Sequence, residues 1–130
     1  MAAYSESMPL DWTSGPLAGG LRCYRSAEFF LAHEHWESVW LQLEEPEKSF
    51  LQALIQTAAA FHHLNAGNPT GAASLLQRSL RRLELCPAVF GGIATGPLCG
   101  EIHEWLQALE RGTDHLPAKV PDIVLTNYQP

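Results

Sequence analysis

Between Ser49 and Gln77 the chain carries no Asp, Glu, Lys or Arg, although 17% of its 130 residues are charged. A helix lying on a protein's surface keeps a solvated, charged side. A helix over Ser49–Ala66 (SFLQALIQTAAAFHHLNA) has no such side, so other helices must cover most of its circumference. The stretch therefore predicts the central rod of a compact all-α bundle. The polar side chains it does carry, Gln52, Gln56, His62 and His63, must find partners inside the protein, because an unpaired amide or imidazole is costly to bury. Function is expected where those partners gather.

A chain of 130 residues is most simply one domain, read here as a loosely ordered terminus over 1–13 and a single helical domain over 14–130. With 46% hydrophobic residues and a mean hydropathy of -0.08 it has the composition of an ordinary soluble protein. A net charge of -6 and a pI near 5.4 argue against nucleic acid or an anionic membrane as partner. The acids Glu28, Glu34, Glu37, Glu44, Glu45 and Glu47 follow one another with no Lys or Arg between them. Such a run is a solvated acidic face, or a draw for a cation. Cys23, Cys86 and Cys99 lack CxxC spacing and read as small buried residues of a reducing compartment. The opening MAAYSESMPL has neither the basic nor the apolar region of a signal peptide. Phe50–Leu64 is too short and too polar to span a bilayer. The expectation is a cytoplasmic protein without a membrane partner.

Ser14-Gly-Pro16 predicts the start of a first helix, with Leu17, Leu21 and Tyr24 inward and Gly19-Gly20 weakening it. Ser26 suits the N-cap of a second helix over Ala27–Leu43, whose apolar stripe is Phe29, Ala32, Trp36, Val39, Trp40 and Leu43. His33 and Glu37 sit one turn apart on its shoulder, and Glu34 points away. After the break at Glu44-Glu45-Pro46, the central helix has a main apolar side of Leu51, Leu54, Ile55, Ala58, Phe61 and His62. Gln52, Gln56, Ala59 and His63 make a second stripe. Gly67 is a left-handed stop, and Asn68-Pro69 caps a fourth helix over Pro69–Leu85 with Arg78, Arg81 and Arg82 outward. A fifth helix runs from about Leu98 to Arg111. No strand is expected, the run FGGIATGP being a loop, and the proline-rich LPAKVPDIVL should lie extended over the bundle.

The second and third helices are joined by a very short turn and should form an antiparallel hairpin. Counted back from that turn, the shoulder His33/Glu37 and the stripe Gln52/Gln56/His63 meet across one groove, with Trp40 and Phe29 as walls. His33 and Glu37 at i, i+4 could ligate a metal. A catalytic zinc needs a third protein ligand, and His63 is the candidate, although the register sets it roughly 6 Å too far along the axis. The other reading is a buried network in which Glu37 accepts from Gln52 or Gln56 and orients His33.

The segments FFLAHEHWESVW (Phe29–Trp40), FLQALIQ (Phe50–Gln56) and HLNAGNPTGA (His63–Ala72) resemble, in order and spacing, the three signature blocks of domain-of-unknown-function family 309. The resemblance covers about Arg22 to Leu85. It implies a compact helical bundle and, by position, signature polar residues at His33, Glu34, Glu37, Trp40, Gln52, Gln56, His63, Asn68 and Gly71. The family's activity is not established, and metal-dependent hydrolysis is only suggested for it. Ala53 stands where the family pattern has Gly.

Two functions follow. In the first, the His33/Glu37/Gln52/Gln56/His63 cluster is structural, or binds a small polar ligand or protein partner with Trp40, Gln52, Gln56 and Asn68 as contacts. In the second, His33, Glu37 and His63 hold a divalent metal and Glu34 is the base of a hydrolase. The groove could also pair two copies of the chain.

Overall fold

The computed structural model describes residues 10–126. Among them lie five helices: α1 (Gly15–Arg25), α2 (Phe29–Trp40), α3 (Glu47–Asn65), α4 (Pro69–Glu84) and α5 (Thr95–Glu110). A hairpin of β1 (Val89–Phe90) and β2 (Ile93–Ala94) precedes α5. The fold is all-α, as the uncharged stretch requires.

The central rod is α3. Phe50, Leu51, Ala53, Leu54, Ala58 and Ala60 on it are fully buried. At 100° per residue, these positions together with buried Ile55 and Gln56 leave open a sector of about 100°. That sector holds Gln52, Ala59 and His63, all half-buried. Helices α2 and α4 flank the rod. Two hydroxyls tie α3 to α4: Thr57 Oγ1 donates to the Ala53 carbonyl at 2.9 Å and lies 2.7 Å from Ser79 Oγ, with both residues fully buried. Because Thr57 has one proton and gives it to Ala53, Ser79 is the donor to Thr57.

Helix α1 lies against α2 at Gly20, where a Cβ would run into the indole nitrogen of Trp36. That indole donates to the Leu17 carbonyl at 3.2 Å. The close approach is the reason for glycine in a helix interior, where propensity alone opposes it. Ser26 does not open α2. Its N–H returns to the carbonyls of Arg22 and Cys23, so it closes α1, and Ala27 at φ 63 turns the chain. Helix α2 accordingly starts two residues later than its sequence pattern suggests.

The expectation for 1–13 falls largely outside the described residues. Within them, Trp12 is buried, donates to the Gly91 carbonyl at 2.7 Å and meets Trp36 edge-on. The glycine-rich loop contains strands after all. Gly91 and Gly92, with φ of 60 and 83, form the turn of the two-residue hairpin, a conformation glycine adopts readily. The tail after α5 is extended: Ile93 bridges to Leu125, the Ala94 N–H donates to the Val124 carbonyl, and Ile123 is fully buried. No helix among the described residues is long and apolar enough to cross a membrane.

Candidate functional site

The hairpin of α2 and α3 is antiparallel. Phe30 near the start of α2 meets His62 near the end of α3 at 5.3 Å. At the other end Lys48 Nζ sits 4.4 Å from the centroid of the Trp40 ring. This is the pairing counted from the short turn.

Where each candidate side chain falls depends on the rotation of α2. Taking buried Trp36 as the centre of the inward face, Trp40 lies about 40° round, His33 about 60° and Glu37 about 100° at the standard helical step. Trp40 and His33 are half-buried, whereas Glu37 is exposed. The groove reading put Glu37 inside, accepting from the α3 amides. The structure overturns that, because 40° beyond His33 carries the carboxylate past the edge of the contact. Glu34 lies farther round and is exposed.

His33 is positioned by an aromatic neighbour instead of a carboxylate. Its ring stacks on Phe30 with centroids 6.0 Å apart and planes 17° apart. His62, expected on the main apolar side, is exposed. It stands near the end of α3, where α2 begins only at Phe29 and supplies Phe30 as its neighbour. His63 is half-buried, and its Nδ1 is 3.3 Å from Asn68 Nδ2. For that amide to donate, the imidazole Nδ1 must carry the lone pair.

Asn68 itself is a cap. Its Oδ1 accepts the Gly71 N–H at 2.9 Å, and its own N–H donates to the His63 carbonyl. A Cβ at Gly71 would run into the Asn68 amide, and Gly67 takes a φ of 83. The block His63–Ala72 is thus a helix stop followed by a helix start. This geometry accounts for Asn68 and Gly71 without a ligand.

His33, Glu37 and His63 do not form a metal-binding set. Glu37 faces solvent, and among the described residues no three His, Cys, Asp or Glu side chains gather where one ion could be held.

What the hairpin does bring together is a row of unpaired polar atoms. Buried His33 Nδ1, Trp40 Nε1 and Gln56 Oε1 have no hydrogen-bond partner among the described residues. Each omitted bond ordinarily leaves a penalty of about 1–3 kcal/mol. His33 and Trp40, seven residues apart on α2, stand about 10 Å apart along one side of that helix. Across from them, Trp40 and Gln52 line one small pocket, and Gln56 follows Gln52 by one turn in the direction of His33. The result is a seam running from Trp40 and Gln52, past Gln56, to His33 and Ala59.

A second concavity was not foreseen. A cleft of about 810 Å³ lies where the end of α1, α5 and the tail meet, lined by Tyr24, Arg25, Phe29, Glu101, Trp105 and Asp122 among others. Four of its side chains are already engaged with the tail's main chain. Tyr24 donates to the Pro121 carbonyl at 2.7 Å, Arg25 to Ile123 at 2.8 Å and Trp105 to Lys119 at 2.9 Å, while Glu101 accepts the Asp122 N–H at 2.7 Å. Burial, reinforced by the carboxylates of Asp122 and Glu101, pushes the Tyr24 hydroxyl well above its ordinary pKa. This cleft is the bed of the tail. No residue pattern announces it, because it depends on a contact between Tyr24 and Pro121, 97 positions apart.

A small helical bundle with a seam between its second and third helices, open in a small pocket at its Trp40 end, is the class that fold and site define. Residues 17–75 match the family model DUF309, a domain of unknown function. Over that segment, which is under half of the chain and runs from α1 into the first half of α4, the protein is similar to that family, and the segment contains the whole seam. No curated protein matches the chain.

Proposed function

We propose that this protein is a binding module whose α2–α3 seam holds a small polar ligand. The observation that carries the reading is the row His33 Nδ1, Gln56 Oε1 and Trp40 Nε1, buried and without partners among the described residues. A purely structural network would leave each of these atoms with a protein partner, as Thr57 and Ser79 have in each other between α3 and α4. An indole N–H demands an acceptor and an amide oxygen demands a donor, so a polar ligand lying in the seam would satisfy both. Trp40, Gln52, Gln56 and His33 are the contacts; Asn68 and His63 close the far end. The metal-dependent alternative lacks its ligand set, since Glu37 points outward and Glu34 lies away from the seam.

The test is Gln56→Met, which keeps the volume and removes the unpaired oxygen. In the ligand-free protein it should raise stability by about 1 kcal/mol or more, while emptying the seam. Native mass spectrometry of protein purified without chelator or affinity tag should detect a small molecule on the parent chain and less on the variant. If Gln56→Met is destabilising instead, the amide holds the hairpin together and the binding reading is wrong.

A further inference from the structure

We infer that the Trp40 end of the seam is an oxyanion subsite, so that the ligand presents a carboxylate or phosphate group there. The inference deepens the seam reading and rests on it for the rest of the ligand. The pocket at this end measures about 200 Å³ and is lined by Trp40 from α2, Lys48, Ser49 and Gln52 from α3, Arg82 from α4, and Glu45 from the turn. Drug-sized ligands occupy roughly 300–1,000 Å³. The space therefore suits one headgroup of a larger molecule.

Nearly everything the pocket offers is a donor. Lys48, a half-buried residue, holds its ammonium over the face of the Trp40 ring. Arg82 reaches across from α4, and Nη1 makes one long contact of 3.4 Å to Ser49 Oγ. A guanidinium has five N–H groups in a planar fork that matches carboxylate and phosphate oxygens. The Gln52 amide and the Ser49 hydroxyl line the same space, and the buried Trp40 N–H lacks an acceptor. One carboxylate is present, but Glu45 Oε1 already accepts the Ser49 N–H at 3.0 Å and closes the first turn of α3. Two cations against one carboxylate leave the pocket positive, on a chain whose net charge is -6. On such a surface a half-buried Lys and Arg converging from two helices favour a ligand that brings negative charge.

The full chain, labelled with nitrogen-15, is titrated with inorganic phosphate and separately with acetate, at constant ionic strength maintained with chloride. The Trp40 indole resonance, assigned through Trp40→Phe, is followed. It should move saturably with at least one of the two anions and not with chloride. Response to phosphate alone assigns a phosphoryl headgroup, and response to acetate alone a carboxylate. Arg82→Gln should weaken the binding about ten- to a hundredfold, and Arg82→Lys less so. No saturable response to either anion, or one undiminished in Arg82→Gln, overturns the subsite. That failure is distinct from failure of the seam itself, which is decided by the stability of Gln56→Met and by the molecule retained on the purified protein. A retained molecule without an anionic group would likewise overturn the subsite while leaving the seam in place.

Discussion

At Gly20 two rules of thumb collide. Helix propensity favours alanine over glycine by up to about 1 kcal/mol, and a reading by propensity marks Gly19-Gly20 only as a weakness. The indole of Trp36, fully buried and hydrogen-bonded to Leu17, occupies the space a methyl would need. Trp36 is rigid and enclosed, so it cannot swing aside. Gly20→Ala should therefore destabilise the protein by about 1–3 kcal/mol despite the gain in propensity, measurable as a lower urea midpoint. Tyr24 is the other residue whose isolated properties mislead. Its hydroxyl, ordinarily titrating near 10.0, is held protonated by burial and by neighbouring carboxylates. The folded chain thus keeps a proton that the unfolded chain releases above pH 10. In that range the native state binds more protons, so stability falls as pH rises. Tyr24→Phe should flatten this alkaline decline in a series of denaturation curves, while costing about 1 kcal/mol at neutral pH through the lost bond to Pro121.

At the scale of the element, α3 was legible because absence of charge is a property of a whole helix and survives errors of rotation. The all-α class, the order of the helices and the antiparallel pairing of α2 with α3 follow from it. The site was legible only in part, because side-chain placement on α2 turns on tens of degrees. His33 and Glu37 are neighbours on a helical wheel, yet one lies within the contact and the other beyond it. Gln56 was expected to be buried and is, at 7% exposure, but the carboxylate meant to receive it is elsewhere. The pair Thr57 and Ser79 went unnoticed, since a threonine among alanines reads as filler and its partner comes from α4. Thr57→Val should cost about 1–3 kcal/mol, because it leaves the Ser79 hydroxyl buried without the acceptor it now has. Calorimetry of the single and double variants would show coupling between the two positions. The hairpin of β1 and β2 escaped detection because two-residue strands are too short to display any period.

On the scale of the molecule, the core extends past the segment that matches the family. Trp12 at one end, and Ile93, Trp105 and Ile123 at the other, belong to the same buried cluster as Phe29 and Phe61. Ile123→Ala should therefore cost about 2–5 kcal/mol, seen as a shift of the cooperative unfolding transition as a whole. The bonds that fasten the tail all engage its main chain: Tyr24, Arg25 and Trp105 donate to carbonyls of residues 121, 123 and 119, and Glu101 accepts from an amide of residue 122. A clasp that grips backbone is largely blind to side-chain identity. Apart from the apolar anchors Leu116, Val120, Pro121 and Ile123, this ribbon can be rewritten so long as it stays stretched out, which makes its exposed positions, Ala118, Lys119, Asp122 and Val124, the natural place to attach a label.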